Sequence, residues 1–379
     1  MKVLFITNEF SHPSLRETGG IGRFYKELSD ELVNNGNQVH VLGANQIKFN
    51  CVDNGISFHF YNKINFLTGK LAIISLVVNR FILLVHFISF VRKHKIDIIE
   101  INEPITAYMI SFFKGSIPMV LRQHGMHSIL AVMYGNKVNK VYHFLEKKAH
   151  QHADKIISVS RYIKQLILEL YGSDLSVDVV YNGIKMDDNE LFNTKVNKRT
   201  LLYVAALSEK KGYLDLVNVF NAINLKDDSV DLVIIGRESE FAFKSLKFTE
   251  SALNRIKYIG YLDYDKLKKY YRSSNLFLNF TKGETFGLTT IEAMSFNRPV
   301  IVSDIGVSEE IVESGKSGYI VNVENIEDVL TKVFTILDNF STQKRMGKFG
   351  SAFVKTSFTN KIMSQMTIET YKKVLGATK

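Results

Sequence analysis

MKVLFITNEFSHPSLRETGGIGRFYKELSDELVNNGNQVHVLG (1–43) is the stretch of sequence that decides the fold. VLFIT (3–7) and QVHVLG (38–43) are short apolar runs of the kind that forms buried strands. RFYKELSDELVNNG (23–36), which lies between them, carries apolar residues at helical spacing and ends in glycine. This order predicts a parallel strand–helix–strand unit and therefore a doubly wound α/β sheet.

The same pattern restarts in the second half of the chain, after the polar stretch 181–200. Further strands of the first series are predicted at IDIIEI (96–101), PMVLRQ (118–123) and KIISVS (155–160). Strands of the second series are predicted at TLLYVAAL (200–207), DLVIIG (231–236), IKYIG (256–260), LFLNF (276–280) and PVIVSD (299–304), with helices at 212–223 and 288–296. Because 379 residues are too many for one core, we predict two Rossmann-like domains, 1–180 and 181–357, whose sheets face a central cleft.

The composition narrows the class of protein. Cys51 is the one cysteine and can form no internal disulfide, and the first apolar run stops at Asn8, too soon for a signal peptide. We therefore expect a cytoplasmic protein. The formal net charge is +10, and residues 1–170 carry 20 Lys and Arg against 12 Asp and Glu. No nucleic-acid module accompanies this charge, so we expect no nucleic-acid partner and favour anionic substrates or an anionic membrane surface.

LAIISLVVNRFILLVHFISFV (71–91) leaves three interpretations open. Its 21 residues are long enough to cross a bilayer as a helix. On a helical wheel its polar residues form one stripe, which favours an ordinary helix packed on the sheet with that stripe in water. The residues of the stripe are Ser75, Asn79, His86, Ser89 and Lys93. The basic sequence RKHK (92–95) keeps the third interpretation open, a helix lying peripherally on the anionic inner face of a membrane.

KGETFGLTTIEAMSFNRPVIVSD (282–304) is the clearest candidate site. Glu284 is predicted in a loop and Glu292 inside the helix that follows, with Thr289 or Thr290 as its N-cap. The N–H groups at such a helix start bind anions such as a pyrophosphate, and a carboxylate beside them can accept hydrogen bonds from sugar hydroxyls. Taken alone, the two glutamates are better explained as a solvated loop residue and an ordinary helix residue.

This segment resembles glycosyltransferase family 4, the retaining nucleotide-sugar transferases with the GT-B fold. The resemblance covers most of the chain in order, through TGGIG (18–22), RQHG (122–125), ISVSRYIKQLI (157–167), VVYNGIKMDD (179–188), LLYVAALSEKKGYLDLVNVF (201–220), LVIIGRE (232–238) and IKYIGYLDYDKLKKYYRSSNLFLNF (256–280). It implies two GT-B domains, with the C-terminal helix 358–379 packed back on the first. It also implies transfer of a hexose, with retention, from a UDP-sugar to a hydroxyl of a glycan or lipid-linked glycan, in surface polysaccharide or glycolipid assembly.

The resemblance implies roles for particular residues. Glu284 would contact hydroxyls of the transferred sugar, Lys211 the pyrophosphate and Glu292 the ribose. His124 would supply a hydrogen bond near the sugar, so that the implied catalytic residues are Glu284, His124 and Lys211. The implied donor-binding residues are Gly19, Gly20, Lys211, Arg237, Tyr261, Leu262, Glu284, Phe286, Gly287, Leu288 and Glu292. We expect no cofactor and no metal, because the carboxylates have neither an Asp-x-Asp nor a histidine pair at ligand spacing beside them.

The sequence departs from the family at the donor-phosphate strand. Ala205 and Ala206 stand where Gly-Arg is usual. Without that arginine, Lys211 carries more of the charge neutralisation, unless Arg237 or Arg298 substitutes.

Three alternatives share part of the pattern. A dinucleotide-dependent oxidoreductase would need G-x-G-x-x-G and an acidic residue after QVHVLGA (38–44), and both are missing. A nucleotide-sugar epimerase would share the architecture. A non-catalytic partner of another glycosyltransferase fits the alanine at position 206, whereas retention of Glu284 and Glu292 argues against it.

Overall fold

The computed structural model describes residues 1–15, 19–46, 48–64, 72–186, 198–245 and 247–377. Some residues named above lie outside the described residues. They are Thr18 of TGGIG, Leu71 of the apolar segment, residues 187–197 of the polar stretch and the last two residues of the predicted C-terminal helix. The chain forms two compact units. Unit 1 comprises Met1–Val132, Asn136–Gly183 and Asn360–Lys379, and unit 2 comprises Met133–Gly135 and Ile184–Thr359. The sequence placed the boundaries at 180/181 and 357/358.

Unit 1 is built on a mainly parallel sheet. Its strands in chain order are β1 (Lys2–Ile6), β2 (Gln38–Asn45), β3 (Phe49–Asp53), β4 (Ile56–Asn62), β5 (Ile98–Ile101), β6 (Met119–Gln123), β7 (Lys155–Ser158) and β8 (Val177–Val179). Within the described residues their order is β3-β4-β2-β1-β5-β6-β7-β8, and each neighbouring pair is parallel except β3 with β4. The predicted first strand–helix–strand unit is confirmed, since β1 pairs in parallel with β2. The antiparallel β3–β4 hairpin at the edge was not predicted.

Helices cover both faces of this sheet. They are α1 (Gly20–Asn34), α2 (Ala72–Lys93), α3 (Pro104–Ser111), α4 (His127–Met133), α5 (Lys140–His152) and α6 (Arg161–Tyr171). On one face Phe24, Leu28 and Leu32 of α1 are buried against strand residues, which confirms the predicted helical spacing. On the other face α2, α3 and α5 enclose a second apolar core.

Unit 2 alternates strands and helices in a fully parallel sheet. Its elements are β9 (Thr200–Val204), α7 (Tyr213–Lys226), β10 (Asp231–Ile235), α8 (Glu250–Leu253), β11 (Ile256–Gly260), α9 (Tyr264–Ser273), β12 (Leu276–Asn279), α10 (Leu288–Ser295), β13 (Val300–Ser303), α11 (Ser308–Ile311), β14 (Gly318–Val321), α12 (Ile326–Leu337) and α13 (Phe340–Ser357). Among the described residues the strand order is β11-β10-β9-β12-β13-β14. The chain therefore winds in both directions from β9, which is the doubly wound arrangement predicted from the sequence.

The last helix, α14 (Asn360–Ala377), belongs to unit 1. A buried charge network ties it to the sheet. The Tyr371 hydroxyl donates to Glu100 Oε2 over 2.6 Å, and Glu100 also accepts from Arg122 Nε over 2.8 Å. Arg122 Nη2 in turn donates to Thr367 of α14 over 3.0 Å. The two contacts made by α14 join residues that are more than 200 positions apart in the chain.

Helix α2 packs on the sheet as predicted, but the prediction that its polar stripe faces water is wrong in the first half. Ser75 and Asn79 are buried. The Asn79 side chain covers the backbone of Ile64, donating to its carbonyl oxygen over 2.7 Å and accepting from its N–H over 2.8 Å. Apolar side chains such as Phe81 and Val85 are exposed instead. Within the described part of the chain, Ile74–Lys93 is also the one helical segment long and apolar enough to cross a membrane, a test that rests on length and composition alone.

Candidate active site

Four of the predicted donor-binding loops follow strands of the unit 2 sheet. Lys211 comes after β9, Arg237 after β10, Tyr261 after β11 and Glu284 after β12. Because these strands are parallel, their carboxyl ends meet at one edge of the sheet. The chain changes winding direction between β9 and β12, and ligands of doubly wound sheets bind at such a point.

The loop after β9 holds Lys211 in a defined place. A short 3-10 turn, Glu209–Lys211, ends at Gly212, whose φ of 70° lies in the left-handed region. A Cβ on Gly212 would lie 1.7 Å from the carbonyl oxygen of Phe280, so only glycine lets this turn approach the end of β12. The Tyr203 hydroxyl donates to the carbonyl oxygen of Lys211 over 2.6 Å and fixes the backbone further.

Lys211 and Glu284 form the centre of the site. Lys211 Nζ donates to Glu284 Oε2 over 2.7 Å, with about a third and a quarter of the two side chains exposed (33% and 25%). Burial lowers the pKa of Lys211, but the Glu284 carboxylate outweighs burial, so that the pKa is raised and the ammonium stays charged. Glu284 Oε1 accepts from the N–H of Thr285 over 3.1 Å. Two predicted catalytic residues are therefore in direct contact.

Tyr134 is a part of this site that the sequence did not indicate. Its hydroxyl donates to the carbonyl oxygen of Gly283 over 3.0 Å, and the Lys210 ammonium lies 5.0 Å from the centroid of its ring. Burial raises the pKa of the phenol, while Lys211 lowers it and Glu284 raises it, so the phenol is within electrostatic reach of the pair. Residues 133–135 group with unit 2 although the chain on either side belongs to unit 1, and no local pattern signals this.

Helix α10 begins directly after Gly287, whose φ is 96°. A Cβ on Gly287 would lie 2.7 Å from Cδ1 of Ile311. The predicted threonine caps are wrong, because Gly287 is the N-cap and Thr290 Oγ1 instead accepts a hydrogen bond from Asn279 Nδ2 over 3.0 Å. The first N–H groups of the helix, that of Leu288 among them, have no acceptor within the helix, so this terminus retains a partial positive charge.

Glu292 lies inside α10, as predicted, and is buried. Its Oε2 accepts from the Tyr271 hydroxyl of α9 over 2.9 Å, and the Tyr271 ring stacks on Phe296 at 5.5 Å between centroids. The ring of Phe286 is buried too, against Phe358 at 5.6 Å. The side chain of Phe286 is therefore unavailable to a donor, and only its backbone remains as a contact.

The loops after β10 and β11 bring Arg237 and Tyr261 together. The Arg237 guanidinium lies 4.1 Å from the centroid of the Tyr261 ring, and half of Tyr261 is exposed. Leu262 follows and is partly exposed. A guanidinium stacked on an exposed aromatic ring presents a flat surface on which a nucleobase can stack.

Arg298 cannot replace the arginine that the family usually has at position 206. It lies just before β13, at the amino-terminal edge of the sheet, where its Nη1 donates to the carbonyl oxygen of Ser274 over 2.6 Å. Burial lowers its pKa to about 9. Of the two candidate substitutes, only Arg237 lies at the carboxyl edge. Asn297, the residue before Arg298, has a φ of 58°, which lies in the left-handed region. It is one of two non-glycine residues with positive φ among those described.

The remaining predicted residues belong to unit 1. The His124 ring packs against Phe24 of α1 at 4.4 Å between centroids. Burial, helped by the Arg122 charge, lowers the pKa of His124 to about 3, so that the ring is neutral. Its Nε2 atom is buried without a hydrogen-bond partner among the described residues. Gly19 is the N-cap of α1 and Gly20 its first residue, and both are exposed.

Two family models match the chain. Residues 18–188 match the family described as Glycosyltransferase Family 4, and residues 187–353 match the one described as Glycosyl transferases group 1. The chain belongs to glycosyltransferase family 4. It is therefore a transferase enzyme, which decides against the oxidoreductase, the epimerase and the non-catalytic partner.

Several curated relatives are named as glycosyltransferases. Two uncharacterised glycosyltransferases of Methanocaldococcus jannaschii are similar to this transferase. The first is 27% identical over 64% of this chain and 65% of its own, and the second is 23% identical over 98% of both chains. The capsular polysaccharide biosynthesis glycosyltransferase CapM of Staphylococcus aureus is 25% identical over 59% of this chain and 62% of its own. The transferase thus spans just under two thirds of the length of the first and third of these relatives.

Solved structures show the fold. Sucrose-phosphate synthase of Thermosynechococcus elongatus has a TM-score of 0.80 at 18% identity, covering 99% of both chains. The Anabaena protein HepE, in complex with UDP-glucose, has a TM-score of 0.74 at 16% identity, covering 98% of this chain and 100% of its own. The likeness shows that the transferase has the GT-B fold.

Proposed function

We propose that this transferase moves a hexose from a UDP-sugar to an acceptor hydroxyl with retention of configuration. The Lys211–Glu284 pair beside the start of α10 is the observation that carries the proposal. An ammonium and a helix N-terminus stabilise a departing diphosphate, and a carboxylate next to them can accept hydrogen bonds from sugar hydroxyls. UDP is suggested by HepE, whose solved structure contains UDP-glucose, and retention by the family resemblance.

The protein supplies positioning and charge in this reaction. The bond between the anomeric carbon and the diphosphate oxygen breaks, and its electron pair leaves with the diphosphate. Lys211 turns from Glu284 to the diphosphate, while Glu284 accepts from the sugar hydroxyls that replace the ammonium. The acceptor hydroxyl attacks the oxocarbenium-like carbon on the same face, and its proton passes to the departing phosphate oxygen.

Catalysis without a metal cofactor is part of the proposal. Among the described residues there is no group of three His, Cys, Asp or Glu side chains that could hold a metal ion. Asp263 and Asp265 form an Asp-x-Asp in the sequence, but each faces a lysine of α9, Lys266 at 3.8 Å and Lys268 at 3.0 Å. Transfer that persists in EDTA supports the proposal, whereas loss in EDTA with recovery in Mn²⁺ contradicts it.

The proposed acceptor is a glycan or lipid-linked glycan of a surface polysaccharide, met at the cytoplasmic face of a membrane. Three observations support this. CapM is named for capsular polysaccharide biosynthesis, residues 1–170 carry an excess of basic residues, and α2 exposes apolar side chains. Transfer of labelled sugar into the lipid extract or the oligosaccharides of a capsule-producing membrane is the expected result, and transfer into neither contradicts the proposal.

A thermal-shift screen of nucleoside diphosphates tests the donor. UDP is expected to raise the melting temperature, because a ligand that binds only the folded state stabilises it. Lys211→Ala and Glu292→Ala should each abolish the shift, while Lys348→Ala, at an exposed lysine of α13, should keep it. A shift with a different nucleotide alone would correct the donor, and no shift with any of them would overturn the proposal.

A further inference from the structure

The side chain of Tyr134 packs against the backbone of the loop that precedes helix α10. Residues 133–135 belong to unit 2, so this contact lies within that unit. The Tyr134 hydroxyl donates to the carbonyl oxygen of Gly283 over 3.0 Å. A Cβ on Gly283 would lie 3.0 Å from Cε1 and 3.3 Å from Cζ of the ring, a distance tighter than most Cβ contacts in proteins. The absence of a side chain at Gly283 therefore lets the ring approach the loop this closely.

The backbone that Tyr134 contacts leads directly into Glu284. The N–H of Lys282 donates to the carbonyl oxygen of Lys210 over 2.9 Å, which joins the loop after β12 to the loop after β9. Thr281 Oγ1 lies 3.1 Å from the carbonyl oxygen of Lys210 and 2.9 Å from that of Gly283. The carbonyl of Gly283 belongs to the peptide unit that precedes Glu284. Its contact with Tyr134 therefore helps to orient the backbone that carries the carboxylate.

Glu284 loses its strongest partner in the proposed reaction. In the structure Lys211 Nζ donates to Glu284 Oε2 over 2.7 Å, and the N–H of Thr285 donates to Oε1 over 3.1 Å. Once Lys211 turns to the diphosphate, the N–H of Thr285 is the one hydrogen-bond donor left on the carboxylate among the described residues. Because Thr285 follows Glu284 in the same loop, the orientation of the carboxylate then depends on the backbone of that loop, and hence on Tyr134.

The ring of Tyr134 also contacts a lysine of the site. The Lys210 ammonium lies 5.0 Å from the ring centroid, and Lys210 forms no ion pair with a carboxylate in the described part of the chain. The lysines beside it are paired, Lys211 with Glu284 and Lys282 with Glu209 at 3.3 Å. An aromatic face attracts an ammonium but leaves its charge unneutralised. Tyr134 thus keeps one positive charge beside the loop of Glu284.

We propose that Tyr134 is a positioning residue of the transfer reaction, which orients Glu284 through its hydroxyl and keeps Lys210 near the diphosphate through its ring. The hydroxyl fixes the carbonyl of Gly283, so that the carboxylate meets the sugar hydroxyls in one orientation after Lys211 has left it. The ring holds the Lys210 ammonium where it adds to the attraction that Lys211 exerts on the diphosphate. The inference rests on the proposed function, because it gives Tyr134 a part in that same reaction.

Two variants of the full-length protein separate the hydroxyl from the ring. Tyr134→Phe keeps the ring, so the affinity for UDP in a calorimetric titration should stay the same. Its release of UDP from saturating UDP-glucose should fall about tenfold, the effect of one hydrogen bond that orients a reacting group. Tyr134→Leu removes the ring as well and should in addition weaken UDP binding about threefold, since Lys210 loses its aromatic partner.

A double-mutant cycle distinguishes positioning of Glu284 from a general structural role. If Tyr134 acts through Glu284, then Tyr134→Phe should have no further effect on turnover in the Glu284→Gln background. Glu209→Gln is the matched control background, because Glu209 pairs with Lys282 in the same two loops. There Tyr134→Phe should again lower turnover about tenfold. Equal losses in the two backgrounds overturn the proposal, and so does normal turnover by Tyr134→Phe alone.

Hydrogen exchange without any substrate separates this inference from the proposed function. Tyr134→Phe should speed exchange in the peptide that covers 281–286, because the loop loses a contact that orders it, and should leave the peptide that covers β10 unchanged. Unchanged exchange at 281–286 overturns the inference, whatever the turnover. A wild type that neither binds UDP nor releases it from UDP-glucose contradicts the proposed function instead, and faster exchange at 281–286 in Tyr134→Phe would then still show that Tyr134 orders the loop of Glu284.

Discussion

Lys211 and Glu284 neutralise one another across 2.7 Å before any substrate is bound. In the proposed reaction, a donor diphosphate therefore competes with a carboxylate for the same ammonium. The pair is only partly buried, and ion pairs with access to water contribute about 1 kcal/mol or less, so the exchange costs little. Gly212 and the Tyr203 hydroxyl fix the backbone of Lys211, so that its side chain alone has to move. The backbone of the lysine is thus fixed, while its ammonium can move from the carboxylate to the diphosphate.

Glu284→Gln is expected to separate donor binding from transfer. Lys211 loses its anionic partner, so its ammonium is available to the diphosphate, and the affinity for UDP stays the same or rises. The sugar loses the carboxylate that accepts from its hydroxyls, and turnover falls about 100-fold or more. Calorimetric titration with UDP and initial rates of transfer measure the two effects. Glu209→Gln, at an exposed carboxylate that faces Lys282 at 3.3 Å, should change neither. Weaker UDP binding with normal turnover in Glu284→Gln would contradict this account.

At the scale of the element, the sequence could place the loops of the site. It could not predict the N-cap of α10 or the contact that Tyr134 makes with the loop of Glu284. An apolar run followed by a polar loop marks the carboxyl end of a strand, so the predicted strands and helices left Lys211 and Glu284 in loops. That the two loops act on one donor was implied by the family resemblance alone. The start of α10 was misassigned because Gly287 already ends the loop in the left-handed region, which makes a threonine cap unnecessary. Tyr134 reaches Gly283 from 149 positions away, beyond any local pattern.

Helix α2 shows what a helical wheel leaves undecided. The wheel gives the angle between side chains but not what lies opposite each face. The backbone of Ile64 lies opposite Asn79 and satisfies its amide, so part of the polar stripe is buried and part of the apolar face is left in water. The sequence alone could not distinguish the two faces, because both are consistent with one amphipathic helix.

Two members of that stripe are expected to respond differently to truncation. Asn79→Ala should destabilise the protein by about 1–3 kcal/mol, because the N–H and carbonyl of Ile64 lose their partner in a partly buried place. Ser89→Ala, at an exposed position of the same helix, should change stability by about 0.5 kcal/mol or less. Urea unfolding followed by circular dichroism compares the two. The same midpoint for both variants would mean that the Asn79 contacts do not stabilise the fold.

At the scale of the whole molecule, the two units share a fold class but differ in their content of histidines and of exposed apolar side chains. All ten histidines belong to unit 1, and most of the exposed large apolar side chains among the described residues do too. The return of α14 to unit 1 depends on contacts such as Tyr371 with Glu100, 271 positions apart. Composition and periodicity carry no signal for such a contact, which is why only the family resemblance implied it.

This asymmetry predicts that mild acid destabilises unit 1 and spares unit 2. Burial lowers the pKa of His40 and His150 to about 4, and burial with the Arg122 charge lowers that of His124 to about 3. An unfolded histidine takes up its proton near pH 6.5, roughly its ordinary pKa. Between about pH 6.5 and pH 4 the unfolded state therefore binds more protons than the folded state, so stability is full above this range and falls as the pH falls.

Hydrogen exchange read by mass spectrometry reports both units in one sample, with unit 2 as the internal control. After correction for the intrinsic pH dependence of exchange, peptides of unit 1 should lose protection between about pH 7 and about pH 5, because opening is coupled to proton uptake by the buried histidines. Peptides of unit 2, which contains no histidine, should keep theirs. Equal loss in both units would mean that carboxylates rather than these histidines set the acid sensitivity of the fold.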